Sequence, residues 1–295
     1  MLKKLKEFGY FEPSTLSEAI FLLGRYDSSA KILSGGTDLL VGMKEKGLSP
    51  ECLINIKGVP NLSYIKYNER EGLKIGALTT IREIEKSNLI NKKFSVLTQA
   101  AEVLGSVQVR NRATIGGNLC NAAPSAEMVP GLLVLDAEVK ITGKKGERVL
   151  PLEKFFLGPG LTVLGKEILT EIRVPSPHPN TKEVYIKHGR RKAMNIAVVG
   201  VAVAAILSGD KKEFKNIKIA LGAVAPTPVR AHKAEEILRR KKIEVDLIEK
   251  AAQIASEEVR PISDIRSSDW YRKEMIKVLV RRALEQVLKN SEEKK

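Results

Sequence analysis

The stretch Arg110–Pro130, RNRATIGGNLCNAAPSAEMVP, decides how the rest of this chain is read. At its centre stand Gly116 and Gly117, flanked by Thr114, Asn118 and Asn121 and by the small residues Ala122, Ala123, Ser125 and Ala126. Few side chains longer than Asn interrupt Ala113 to Ala126, yet the segment is too apolar for a solvated linker. Such a strip lets a flat or extended molecule lie directly on the backbone. Paired glycines open positive-φ conformations and remove the Cβ atoms that would block a ligand. Successive N–H groups in such a turn form an anion-binding concavity. The expectation is a Gly-Gly turn that touches a ligand.

The same pattern occurs earlier, at Lys31–Lys44, KILSGGTDLLVGMK. Apolar Ile32 and Leu33 run into Ser34-Gly35-Gly36-Thr37-Asp38, and a helix-like stretch with Leu39, Leu40 and Met43 follows. A single Gly-Gly pair is ordinarily a tight turn. Two such pairs, both flanked by hydroxyl or amide side chains, suit the two phosphates of one dinucleotide. A ligand touching both would sit in the groove between them.

Working outward, 295 residues suffice for about two domains with sizeable cores. A hydrophobic share of 43% beside 29% charged residues describes a soluble globular chain. Its longest apolar run, Ile196–Leu207, is far short of the roughly 20 residues of a membrane span and reads as a buried strand. The opening MLKKLKEFGYFEP lacks the apolar core of a signal peptide, so a cytoplasmic location is expected. Two distant cysteines, Cys52 and Cys120, exclude a disulfide framework, and with three scattered histidines they supply no metal-ligand spacing. The net charge of +15 raises nucleic acid as a partner. Basic residues are interleaved with Glu, however, and aromatics make up only 5%, so a solvated ion-paired surface is the preferred reading. Such a surface could also receive an acidic partner subunit.

Three parts follow from pattern. Residues 1–57 read as a small βα lobe: a helix at Leu16–Tyr26 with Thr15 and Glu18 at capping-box distance, then strands at Ala30–Leu33 and Leu53–Ile56. Residues 58–176 form a second lobe. It has a hairpin of Leu62–Tyr67 with Leu73–Gly76, helices at Thr80–Lys86 and Phe94–Leu104, the Gly-Gly stretch, and strands at Glu138–Ile141 and Glu167–Val174. Pro175–Asn180, with three prolines, is a linker. Residues 181–290 read as three strands then three helices, an α+β domain with helices on one face of an antiparallel sheet. Walker A, Rossmann GxGxxG, GxSxG and HExxH strings are absent. No nucleophile–base pair stands out, which favours a cofactor that brings its own chemistry.

Taken with YIKHGRRKAMNIAVVGVAV, the two Gly-Gly strings resemble the FAD-binding (medium) subunit of the molybdenum hydroxylases, the xanthine, carbon monoxide and aldehyde dehydrogenase family. The three strings come in the family's order and the resemblance covers nearly the whole chain. It implies an α+β fold: a two-lobed FAD-binding domain of the vanillyl-alcohol-oxidase (PCMH) type, then a small C-terminal domain. Ile32, Leu33, Ser34, Gly35, Gly36, Thr37, Asp38 and Leu39, with Thr114, Ile115, Gly116, Gly117 and Asn118, would wrap the FAD pyrophosphate by backbone N–H groups. Glu127 matches an acidic position near the adenosine side, where it would accept from ribose hydroxyls. Ile168 (or Leu169) and Lys187 match positions close to the flavin, and Tyr185 is a candidate for stacking on the ring. Lys187 would stabilise negative charge on the reduced ring.

No histidine follows either Gly-Gly pair, which implies non-covalent FAD. The resemblance also implies partners: a small subunit with [2Fe–2S] clusters and a large molybdopterin subunit, assembled as a dimer of heterotrimers. Electrons would leave through this chain to NAD+, a quinone, ferredoxin or O₂. Two alternatives stay open at this stage. One is a self-sufficient flavin reductase of similar fold, such as the one acting on enolpyruvyl-UDP-N-acetylglucosamine. The other is a non-redox nucleotide or nucleic-acid binder.

Overall fold

The structure is a computed structural model and describes residues 5–292. Residues 1–4 of the stretch considered for a signal peptide, and 293–295 of the closing charged run, lie outside the described residues.

The first lobe is β1 (Gly9–Phe11), α1 (Leu16–Tyr26), β2 (Ala30–Leu33), α2 (Leu39–Glu45) and β3 (Cys52–Asn55). Its strands form a parallel sheet in the order β1-β3-β2. Helix α1 starts where Thr15 Oγ1 accepts from Glu18 N–H at 3.2 Å. The Glu18 carboxylate reaches back to Ser14 N–H, one residue short of a reciprocal capping box. Ala19, Leu22 and Leu23 bury one face of the helix on the sheet.

The second lobe opens with β4 (Ile65–Asn68) and β5 (Gly72–Gly76), a hairpin whose turn is held by Asn68 Oδ1, which accepts from Arg70 and Glu71 N–H. A run of short helices follows: α3 (Ile81–Lys86), α4 (Asn88–Lys93), α5 (Ser95–Glu102), α6 (Val107–Arg110), α7 (Ile115–Cys120) and α8 (Met128–Val134). Then come β6 (Glu138–Gly143), β7 (Gly146–Pro151), the small hairpin β8 (Phe156–Gly158) and β9 (Leu161–Thr162), and β10 (Ile168–Val174). The main sheet is antiparallel in the order β4-β5-β10-β6-β7, and the helices bury their apolar faces against it. Helix α3 carries the full reciprocal capping box between Thr80 and Glu83. Helix α4 and strands β7, β8 and β9 were not anticipated from pattern. β7 shows little periodicity because nearly all its residues are exposed.

Two expectations about the glycines need correction. Gly116 and Gly117 do not form a turn: they lie in the first turn of α7, N-capped by Thr114, with ordinary helical backbone. In the earlier pair only Gly36 has a positive φ, +76°. The other three are small because something sits against them, which is the second use of glycine. A Cβ on Gly35 would collide with the Arg112 carbonyl, and one on Gly116 would stand 2.6 Å from Ala77 O.

After 175–180 come β11 (Thr181–His188), β12 (Val199–Leu207), β13 (Phe214–Gly222) and the short β14 (Val229–Arg230), an antiparallel sheet in that order. Helices α9 (His232–Leu238), α10 (Val245–Glu257) and α11 (Asp269–Glu292) cover one face. On β12, Val199, Val201, Val203 and Ala205 point to these helices, while Ala202 and Ala204 join the core of the second lobe. Both faces are buried, so the strand reads as an unbroken apolar run instead of an alternation. The strand starts at Val199, not Ile196, which lies exposed in the preceding loop.

Candidate cofactor site

Tertiary contacts bring the two Gly-Gly segments into direct contact. Residues 113–115 are clamped to 79–81 by Ile81 N–H to Ala113 O (2.8 Å) and Ile115 N–H to Thr79 O (3.0 Å). Upstream, Arg110 anchors the segment in the second lobe. It donates to Glu85 Oε2 at 2.7 Å and to Leu104 O at 3.0 Å. Gly35 then packs on the backbone of Arg112 and Ala113, and the Ser34 and Thr114 hydroxyls meet at 3.2 Å. The space a Gly117 side chain would occupy is bounded by Thr114 Oγ1 at 2.9 Å and Ser34 Oγ at 3.0 Å.

The two arms differ in what they offer. In the second, Ile115 N–H bonds Thr79 O, Gly116 N–H bonds Ala77 O, and Gly117 N–H bonds Thr114 Oγ1. Those donors are used inside the protein, which corrects the expectation that they face a phosphate. In the first arm, no acceptor among the described residues reaches the N–H groups of Gly35, Gly36, Thr37 and Asp38. Four consecutive unpaired donors around one positive-φ glycine make an anion-binding nest. Ile32 and Leu33 are strand residues packed in the first lobe, Leu39 packs beside Leu33, and Ile115 is fully buried.

A cleft of about 420 Å³ opens beside these arms, between the lobes, lined among others by Ser34, Lys57, Asn61, Thr80, Arg112 and Thr114. Lys57 is pushed below its ordinary pKa, first by desolvation and then by facing Arg112, with Glu12 opposing. Neither cation has an ion-pair partner among the described residues. Two mutually repelling cations lining one cleft suit an anion between them. Sequence reasoning missed both as site residues, because a lone Lys or Arg beside a loop has the signature of a solvated charge.

Farther along, Glu127 and Lys187 form a buried ion pair, Nζ to Oε1 2.8 Å. The Lys187 ammonium also donates to Val103 O at 2.9 Å and Asn195 O at 3.0 Å, so its three protons all have protein acceptors. Desolvation raises the Glu127 pKa; Lys187 opposes the shift and nearby Asp38 adds to it. The Asp38 residue is exposed, yet desolvation raises its carboxyl above the ordinary value, against the pull of Lys46. Tyr185 is buried beside Ala202 and Ala204, with its hydroxyl against Gly200 and its pKa raised by burial and by Glu127. It occupies the core and not an open face. Ile168 sits in the apolar junction of the two lobes with Leu78 and Ile56, and its neighbour Leu169 turns into the second-lobe core.

These residues fit a bound FAD. The nest and the cation pair suit a pyrophosphate, and the bare Gly117 faces two hydroxyls. The next residue, Asn118, has its Oδ1 buried without a hydrogen-bond partner among the described residues, an arrangement that native proteins keep for a reason.

The fold and the site define the class, and comparison with known proteins agrees. Residues 6–177 match the family described as "FAD binding domain in molybdopterin dehydrogenase", and residues 184–287 match "CO dehydrogenase flavoprotein C-terminal domain". The chain belongs to the FAD-binding subunits of the molybdenum hydroxylase family. It is 36% identical to the glyceraldehyde dehydrogenase medium chain of Sulfolobus acidocaldarius, across 95% of this chain and 98% of that one. It is 34% identical to the carbon monoxide dehydrogenase medium chain of Hydrogenophaga pseudoflava, across 94% and 96%. With the Escherichia coli xanthine dehydrogenase FAD-binding subunit it shares 30%, across 95% of each. Among solved structures, carbon monoxide dehydrogenase from H. pseudoflava superposes with a TM-score of 0.92 at 34% identity, covering 96% of this chain and 98% of that one. Quinoline 2-oxidoreductase from Pseudomonas putida 86 gives 0.91 at 28% identity, covering 98% and 99%. The fold expected from resemblance, an FAD-binding domain followed by a smaller flavoprotein domain, is the one found.

Proposed function

We propose that this chain is the electron exit of a molybdenum-containing dehydrogenase. Partner [2Fe–2S] clusters deliver electrons to its non-covalent FAD, which hands them to an acceptor such as NAD+ or a quinone. The observation that carries the reading is the nest at residues 35–38 together with the unpaired cations Lys57 and Arg112. Bound FAD supplies the exchange between one-electron and two-electron redox steps. The nest N–H groups and the Ser34 and Thr114 hydroxyls hold the pyrophosphate oxygens, and Lys57 and Arg112 offset their charge. Glu127 Oε1 is taken by Lys187, which leaves Oε2 for a ribose hydroxyl. With all its protons used, Lys187 acts by holding Glu127 and the 189–196 loop in place, not as a free cation at the ring.

The similarity to medium chains over nearly their full length supports partner subunits here, an iron–sulfur subunit and a molybdopterin subunit; the reading takes the assembly as a dimer of heterotrimers and its location as cytoplasmic. No helix among the described residues is long and apolar enough to cross a membrane. The test is the visible spectrum of the protein from its native source, with metal and subunit analysis. Flavin accompanied by iron, molybdenum and two further chains is expected. Flavin in a lone chain that also turns over a reductase substrate would replace this reading with the self-sufficient enzyme. No flavin uptake even with added FAD would end both.

A further inference from the structure

Lys57 and Arg112 line one cleft although their charges repel, and among the described residues no carboxylate forms an ion pair with either. Both residues are exposed, so each long side chain is free to carry its charge out into water and away from the other. No acid in the cleft draws them in. What keeps them at its edge before a ligand arrives therefore lies in the backbone beneath them.

Each cation follows by two residues a buried polar side chain that is tied into its own lobe and does not line the cleft. In the first lobe this is Asn55, at the end of β3. Its Oδ1 accepts from Lys57 N–H at 3.2 Å, and its Nδ2 donates to Tyr10 Oη and Glu12 Oε1, both at 2.7 Å. Between the two, Ile56 N–H donates to Leu33 O at 3.1 Å.

In the second lobe it is Arg110, at the end of α6. Its Nε and Nη2 donate to the two oxygens of Glu85 at 2.7 and 3.3 Å, and its Nη1 donates to Leu104 O at 3.0 Å. Glu85 lies one turn along α3 from Ile81, whose N–H holds Ala113 O at 2.8 Å. Helix α3 thus grips the cofactor arm on both sides of Arg112, whose own N–H donates to Val109 O at 3.0 Å. Leu104 is a firm anchor, because the carbonyls beside it are also taken. Lys187 donates to Val103 O at 2.9 Å, and Met194 N–H to Gly105 O at 3.1 Å.

We infer that Asn55 and Arg110 are positioning residues: each fixes the backbone two residues on, and so holds Lys57 or Arg112 at the cleft against the repulsion of the other. The inference rests on the reading given under Proposed function and deepens it, by naming what organises the phosphate site before the cofactor binds.

The test is to titrate the flavin-free full chain with FAD at several salt concentrations, beside a thermal melt. Arg112→Met should weaken binding about tenfold by loss of its charge. Arg110→Met should do about as much from outside the cleft, and flatten the salt dependence in the same way. The double variant Arg110→Met/Arg112→Met should also lose about tenfold, where two independent sites would lose about a hundredfold. Asn55→Leu combined with Lys57→Met should show the same lack of additivity. Glu85→Gln separates position from charge. Removing an acid near an anion site tightens FAD binding if electrostatics alone acts, whereas loosening the hold on Arg110 should weaken it several-fold. Arg110→Lys keeps the charge but not the two-pronged hold, so it too should bind several-fold more weakly. It decides the matter if Arg110→Met does not fold. A loss of about a hundredfold in either double variant, tighter binding by Glu85→Gln, or wild-type affinity in Arg110→Lys would each overturn the positioning role and leave FAD as the cofactor. A wild-type chain that takes up no FAD would remove the functional reading, and this inference with it.

Discussion

Gly116 and Gly117 are neighbours in sequence and in one helical turn, yet substituting Ala at each should produce different defects. At Gly116 an added Cβ meets Ala77 O at 2.6 Å and Ala77 Cβ at 2.8 Å, and neither can rotate away. Overpacking against fixed backbone costs about 1–3 kcal/mol, which for a chain of this size lowers the melting temperature by roughly 2–10 °C. At Gly117 the nearest atoms are the hydroxyl oxygens of Thr114 and Ser34, at 2.9 and 3.0 Å, both on side chains able to turn. Replacing Gly by Ala inside a helix also gains about 1 kcal/mol, so stability should be nearly unchanged. The hydroxyls, however, would be displaced from the positions that face the cofactor. A hydrogen bond to a charged oxygen contributes about 1.5–3 kcal/mol, so losing both should weaken FAD binding roughly 100-fold or more. Fluorescence-quenching titration of FAD into each flavin-free variant, beside a thermal melt, separates the two effects. Gly117→Ala that binds FAD as tightly as wild type would refute the assignment of that face to the cofactor.

Other outcomes follow from the same geometry. Lys57→Met and Arg112→Met should each weaken FAD binding about tenfold and flatten its salt dependence; an unchanged salt profile counts against a phosphate between them. Lys187→Met strands Glu127 in the interior, at a cost of about 3–5 kcal/mol. Adding Glu127→Gln should restore much of the lost melting temperature, and a double variant no more stable than the single one would contradict the pairing. Glu183, buried on β11 and accepting from Val96 N–H at 3.0 Å, has its pKa raised by burial from 4.5 to about 7. A raised folded pKa means its contribution to stability is complete below the ordinary value and is lost as pH rises through about 7. Glu183→Gln should therefore match wild type near pH 5 and exceed it near pH 8, with a ceiling of about 3 kcal/mol at about 1.4 kcal/mol per unit. Melting curves that shift in parallel across that range would exclude the carboxyl as the cause.

Elements specified by neighbouring residues were legible in the sequence. Helix α1 runs over Leu16–Tyr26 as the spacing predicted, and β2 over Ala30–Leu33, because a capping Thr and a local apolar pattern are enough to define them. The hairpin turn likewise depends on Asn68 and the two residues after it. What could not be read is which property of a glycine is being used. Gly36 serves for its positive φ, whereas Gly116 serves because Ala77, nearly forty residues away, packs on it. The string GG is the same in both cases. Lys57 and Arg112 escaped for a related reason: their convergence is a product of the lobes meeting, and no short-range pattern records it.

The same logic explains why the C-terminal domain bears on a cofactor held mainly by the first two lobes. Successive side chains on a strand point to opposite faces, so Glu183, Tyr185 and Lys187 of β11 all face one way. Each engages the second lobe: Glu183 accepts from Val96 N–H, Tyr185 packs in its core while its own N–H donates to Gln99 Oε1, and Lys187 pairs with Glu127. These contacts span four residues of strand, about 13 Å at about 3.3 Å per residue. A shift of the strand that loosened Glu183 would carry Lys187 with it, and Lys187 also holds the 189–196 loop through Asn195 O. The seating of the domain, the position of Glu127 and the placement of the loop beside the exposed Ile265 and Trp270 are thus set by one face of one strand. One rigid strand face therefore couples the seating of the C-terminal domain on the second lobe to the position of Glu127.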